Sequence, residues 1–141
     1  METMSNPETE KHLRTFLEKE KFELSKERNI GELGVDIIAK KEMKSYYIEC
    51  IGYNKRNPIR SKHFFEAFFR AISRLNQNAD SIVIALPYLF KKGITKRIKQ
   101  YYVGWERIGN AFPELELWFV SKDGVEQHKW NEVFNIYKPK N

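Results

Sequence analysis

The sequence predicts an α/β fold, a three-layer α-β-α sandwich around a mixed sheet with element order αβββαβαβ. Three observations predict it. Two short apolar runs, Ser81–Pro87 and Leu115–Val120, have the length and continuity of strands covered on both faces. Two amphipathic stripes, Phe64 to Leu75 and Ile94 to Ile108, alternate with those runs and repeat at helical spacing. Ahead of them, Val35–Lys40 and Tyr46–Tyr53 are rich in β-branched and aromatic residues and flank a polar break, which makes a hairpin.

The elements follow in order. Ser5-Asn6-Pro7-Glu8 joins a capping side chain, a proline whose missing N–H costs nothing in a first turn, and an acid at the positive helix end. The helix it starts runs from Pro7 to Glu20, with Leu13, Phe16 and Leu17 inward and Lys11, Arg14 and Lys19 towards solvent. Phe22–Arg28 alternates weakly and reads as the first strand, ended by the break Asn29–Gly34. The hairpin turns over Glu42-Met43-Lys44-Ser45. A basic loop, Asn54–Pro58, leads to Ser61, which caps the helix carrying Phe64, Phe65, Phe68, Phe69, Ile72 and Leu75; all four phenylalanines read as core. The strand Ser81–Pro87 follows. A helix from Gly93 to Ile108 opposes Ile94, Ile98, Tyr101, Tyr102 and Trp105 to Lys96, Arg97 and Lys99, and the strand Leu115–Val120 comes next. The tail from Val125 to Tyr137 is mixed in pattern and stays unassigned.

At 141 residues the chain has room for one core, so residues 1–141 are expected to form one domain, ordered over about residues 7–137. Its 41% hydrophobic residues exclude wholesale disorder. The formal net charge of +6 favours anionic partners. Cys50 is the lone cysteine, which excludes an intramolecular disulfide and a cysteine-cluster zinc site and fits a reducing compartment. The polar start and the absence of a long apolar stretch predict a cytoplasmic protein with no membrane partner.

The candidate site comes from the hairpin. A turn symmetric about residues 42–45 places Asp36 opposite Ile51 and Ile38 opposite Glu49, all four on one face. Opposed Cβ atoms lie ~5 Å apart and diagonal ones ~7–8 Å, so Asp36 and Glu49 can reach a common point. Two converging carboxylates suit one hard cation, with phosphate oxygens and water completing its shell. Lys55, Arg56, Arg60, Lys62, Arg70 and Arg74 cluster along the following loop and helix and can track a nucleic-acid backbone. An excess of aromatic surface on the two helices would be covered by a homodimer.

Gly34-Val35-Asp36-Ile37-Ile38-Ala39 followed by Tyr47-Ile48-Glu49-Cys50-Ile51-Gly52 resembles the core of the PD-(D/E)XK, or restriction-endonuclease-like, superfamily. The closest flavour is that of the Mrr-type restriction endonucleases and the archaeal Holliday-junction resolvases, and the element order from Pro7 to Val120 matches as well. The resemblance implies a DNA endonuclease whose Mg²⁺, or Mn²⁺, is held by Asp36 and Glu49. It also implies a lysine two residues after the acid. Ile51 stands there and can neither position a water nor stabilise developing charge, so the site is degenerate. Lys62 is the best-placed lysine to substitute as a catalytic residue, ahead of Lys55 and Lys40, and His63 reads as a surface or core histidine rather than a catalyst. A metal-binding glutamate from the first helix corresponds to Glu20, or to Glu18. Two alternatives stand beside a nuclease: a catalytically inactive DNA-binding or assembly subunit of the same fold, and a protein-interaction module that binds no nucleic acid.

Overall fold

The structure is a computed structural model and describes residues 3–28 and 34–140. Among these, six strands form one mixed sheet in sequential order, with five α-helices around it. Of the predicted break Asn29–Gly34, residues 29–33 lie outside the described residues.

Helix α1 spans Asn6–Lys19 and starts as its sequence dictates. The Glu8 N–H donates to Ser5 Oγ at 3.3 Å, and the Ser5 N–H donates to Glu8 Oε1 at 3.0 Å, so two otherwise orphaned amides are satisfied together. These bonds hold the Glu8 carboxyl below its usual range. Strand β1 is only Glu23–Leu24, shorter than expected; beyond it Ser25 still exchanges bonds with Ile38 through its amide and hydroxyl.

Strands β2 (Ile37–Lys41) and β3 (Lys44–Cys50) pair antiparallel. Their turn is tighter than the four residues expected: Glu42 and Met43 alone connect them, with φ of 53° and 64°. Two successive left-handed residues make the turn whose twist matches a hairpin, and Lys44 and Ser45 become strand residues opposite Lys41 and Lys40. The register therefore moves by two. Faces are preserved because the strand repeat is two.

Helix α2 (Asn57–Ser73) crosses from β3 to β4 (Ser81–Pro87), which is parallel to β3 and buried along its length. The predicted third helix is two, α3 (Lys91–Gln100) and α4 (Tyr102–Ala111), parted at Tyr101. Strand β5 (Leu115–Ser121) is parallel to β4, and the unassigned tail supplies β6 (Gly124–Lys129), antiparallel to β5, then α5 (Trp130–Tyr137). Trp105 of α4 stacks on Trp130 of α5 with ring centroids 4.1 Å apart, so α4 packs on an element that the pattern had not revealed.

Helices lie on both faces of the sheet. Leu13 and Leu17 of α1 pack on Ile37, Ile48, Val83 and Trp118. Phe64, Ile94, Ile98, Trp105 and Trp130, from the other helices, pack on Ile51, Ile82, Ile84, Leu117 and Phe119. Two of the four α2 phenylalanines depart from expectation. Phe65 is 39% and Phe69 72% exposed, because α2 turns Phe64, Ala67 and Ala71 to the sheet and these two lie ~100–140° round the helix. Arg14 departs in the opposite sense: it is buried, between Leu13 and Leu17 on the stripe expected to be purely apolar.

The start of the chain closes over the end of β3. A Cβ on Gly52 would lie 2.6 Å from the Asn6 nitrogen and 2.8 Å from the Met4 oxygen, so only glycine permits this approach. The Gly52 N–H donates to Asn6 Oδ1, and the Tyr53 N–H to the Met4 carbonyl.

Candidate functional site: a carboxylate pair held by arginines

The two-residue turn decides what faces Asp36. The observed ladder pairs Ile37 with Ile48, and continuing it by one residue sets Asp36 directly across from Glu49. The pair is thus closer than a partnership of Asp36 with Ile51 would make it. Both residues line a cavity of about 430 Å³ together with Asn6, Arg28, Arg70 and Arg74.

Each carboxylate is taken up by donors. Asp36 Oδ2 accepts the Cys50 N–H at 2.7 Å, which extends the β2–β3 ladder by a side chain, and Oδ1 accepts from Arg28 Nη2. Glu49, only 2% exposed, lies between two guanidiniums: Arg70 Nε is 3.3 Å from Oε1 and Arg74 Nε is 3.2 Å from Oε2. Burial pushes the Glu49 carboxyl above its ordinary value, and the charge of Asp36 adds to the push. Arg74 and Arg70 offset part of it. Arg70 also reaches outward to Glu66 Oε2 at 3.8 Å, so its guanidinium is shared between the buried Glu49 and a surface acid.

Arg14 ties α1 to the same place. Its Nε meets Glu10 Oε2 at 2.9 Å, Nη1 donates to the Ser25 carbonyl at 2.6 Å and Nη2 to the Asp36 carbonyl at 3.1 Å. Glu10 thereby lines the groove next to Asp36. Residues 10, 13, 14 and 17 share one helix face, so the pattern marks the Glu10–Arg14 pair, although charge alone places it in solvent.

The remaining expected site residues go elsewhere. Glu20 caps the far end of α1, where its carbonyl accepts from Lys41 Nζ at 2.6 Å. Lys41 is five residues along β2 from Asp36, ~17 Å in an extended strand, so Glu20 is no companion to the pair. Glu18, two residues before it, belongs to the same distant end. Lys62 is well exposed on α2, two turns before Arg70, and its ammonium lies 4.0 Å from Glu66; it does not line the cavity. Lys55 and Arg56 are exposed in the loop ahead of α2. Arg60 is half-buried and holds that loop, donating to the carbonyls of Asn54 and Lys55. Arg70 and Arg74, expected to face a polyanion, instead pair with Glu49, Arg74 through a hydrogen bond as well. Ile51 is 1% exposed and belongs to the core beneath α2.

A resident divalent cation needs carboxylate lone pairs and a negative surrounding. Here three of the four carboxylate oxygens accept hydrogen bonds, the fourth, Glu49 Oε1, is ion-paired with Arg70, and Ile51 adds no ligand. As arranged, these residues do not fit such a cation. No group of three or more His, Cys, Asp or Glu side chains converges as a metal cage among the described residues. Nor, among them, is any helix long and apolar enough to cross a membrane. Comparison with family models, with curated proteins and with solved structures finds no match to the chain.

Proposed function

We propose that the chain is a DNA-binding, cytoplasmic protein of restriction-endonuclease-like architecture whose Asp36–Glu49 pair is a degenerate nuclease site adapted to binding. The observation that carries the reading is the capture of both carboxylates by Arg28, Arg70 and Arg74. In a hydrolase of this class the acids would be neutralised by a metal ion before a phosphodiester could approach. Guanidiniums supply that neutralisation here, and Arg70, 45% exposed, offers the approaching phosphate a cationic rim. Lys55, Arg56 and Lys62 extend the rim along the loop and the outer face of α2, where contacts to phosphates position a duplex without reading its sequence.

The antiparallel β1–β2–β3 meander, the parallel β3–β4 pair and the crossover helix α2 support the architectural part. Phe65 and Phe69 give α2 an exposed apolar edge on which a second copy would dock. Sedimentation of Phe69→Lys against wild type decides that component.

The central test is binding and cleavage together. Anisotropy with duplex DNA should show affinity falling steeply with salt, and neutralising Lys62 or Arg70 should each lower the slope by about 0.9. Plasmid and branched DNA should stay intact in Mg²⁺ or Mn²⁺. Metal-dependent cleavage lost in Asp36→Asn would replace this reading by an active nuclease. No salt-dependent binding to any DNA would replace it by a protein-interaction module.

A further inference from the structure

A second cavity, of about 220 Å³, opens between the first turns of α2 and the body of α3. It shares no lining residue with the Asp36–Glu49 cavity. Arg60, Lys96 and Arg97 stand in its wall, and none of its described lining residues is an acid.

The two arginines are short of partners. Arg97 Nη1 donates to Ser61 Oγ at 3.2 Å, while its guanidinium lies over Phe64 and Phe65 at 5.2 and 5.9 Å. Arg60 bonds only backbone carbonyls and Asn57 Oδ1, and lies 4.6 Å over the Tyr53 ring. Neither pairs with an acid among the described residues. Burial lowers the proton affinity of Arg97, and the charge of Arg60 lowers it further, as expected for two close cations without a counter-charge. The first turn of α2, which lines the cavity, adds to the same sign: it contains no acid, and Arg56 at its N-cap makes no capping side-chain bond.

We infer that this cavity binds a phosphate group, specifically a phosphomonoester dianion, gripped by Arg97 and Arg60 with Lys96 and Ser61 completing the contacts. A guanidinium fork matches phosphate oxygens, and two forks with an ammonium favour a dianion over a single carboxylate. The volume falls below the ~300–1,000 Å³ of sites that enclose a drug-sized ligand, so only the phosphate and the first atoms of its ester enter. Tyr53 and Phe90, edge to face at 5.2 Å, offer those atoms an apolar wall. The phosphate comes either from a soluble phosphomonoester such as a nucleotide or from the end of a nucleic-acid strand.

The test is calorimetric titration of the full chain in ~0.15 M NaCl, where exposed charges are largely screened. The probes are inorganic phosphate, a nucleoside 5′-monophosphate, and one oligonucleotide with and without its 5′-phosphate. Arg97→Gln removes the principal donor. Gly93→Asp adds a carboxylate to the wall at a position where a Cβ meets nothing within 4 Å, so the fold is spared. Inorganic phosphate should saturate the wild type, and both variants should bind it about 10- to 100-fold more weakly. Lys92→Gln, on α3 but outside the cavity, should match the wild type. Preference for the phosphorylated strand over both its hydroxyl twin and the nucleotide assigns the ligand to a strand end; equal binding of nucleotide and phosphorylated strand assigns a soluble one. Absence of saturable phosphate binding in the wild type, or its retention in both variants, overturns the inference. This cavity shares no lining residue with the Asp36–Glu49 cavity, and loss of phosphate binding in Arg97→Gln reads it alone, so failure of the DNA reading does not carry over.

Discussion

Removing Arg74 should cost far more than removing Arg70, although both stand at nearly equal distance from Glu49. The Arg74 side chain is 15% exposed and that of Arg70 45%, while Glu49 is buried. Breaking a buried pair from one side typically costs ~3–5 kcal/mol, because the remaining charge is left without compensation. Arg70 remains to share that charge, so Arg74→Met should lose about 2–3 kcal/mol at neutral pH. Arg70→Met should lose at most about 1 kcal/mol, as for solvent-screened pairs. Urea unfolding followed by tryptophan fluorescence reads the difference, since Trp105, Trp118 and Trp130 are all buried. The sign of the pH dependence follows from Glu49. Its carboxyl is raised above the ordinary 4.5 in the folded chain, so the protonated form favours folding; that contribution is present below 4.5 and lost as pH rises through the folded value. Loss of an offsetting arginine raises the folded value further. The gap between wild type and Arg74→Met should therefore be small near pH 4.5, widen as pH rises, and level off once Glu49 is ionised in both. In a Glu49→Gln background the effect of Arg74→Met should shrink below about 1 kcal/mol. Equal losses in the two arginine variants, or a gap independent of pH, would refute the assignment of Arg74 as the counter-charge.

Three further outcomes follow from the same geometry. Ile51→Lys puts an ammonium into the apolar cluster under α2, so it should destabilise by about 3 kcal/mol or more and restore no cleavage; a stable variant that cuts DNA in Mg²⁺ would show that the position opens onto the carboxylates. Gly52→Ala drives a methyl against backbone atoms of Met4–Asn6 and should cost about 1–3 kcal/mol, with faster amide exchange at Tyr53 as the local sign; an unchanged melting temperature would mean that the start of the chain does not close on β3. The Cys50 thiol is 3% exposed and burial pushes its pKa well up, so labelling in the native state should be slow and become fast only on unfolding; rapid native labelling would contradict its packing under α1.

The layers were legible in the sequence because hydrophobic period reports burial directly: β4, β5 and the Leu13, Leu17 and Phe64 positions needed no tertiary knowledge, whereas the edges of the stripes, Arg14, Phe65 and Phe69, did. The faces of Asp36 and Glu49 were legible too, since a register error of two leaves parity intact. The register itself was not. A two-residue turn with both φ positive is usually advertised by Asn-Gly, whereas Glu42-Met43 advertises nothing, and the polar run through Ser45 suggested a longer loop. Tail elements β6 and α5 escaped because their pattern mixes half-buried positions with charges.

Arg70 and Arg74 depart from the expected solvent-facing position for a reason common to helix faces. Periodicity identifies the stripe that meets the sheet, and the default for charges beside it is solvent. Whether Arg70 and Arg74 turn outward or back onto a strand depends on how far α2 slides along β3, which no local signal fixes. The acid recruited from α1 depends likewise on one long-range contact. Gly52 and Tyr53 dock against Met4–Asn6, so α1 begins beside Asp36 and leads away from it towards the hairpin turn, where Glu20 meets Lys41. Any α1 carboxylate near Asp36 must then come from the first turns of the helix. Glu8 is already committed to the capping box, which leaves Glu10, the residue that Arg14 holds in the groove.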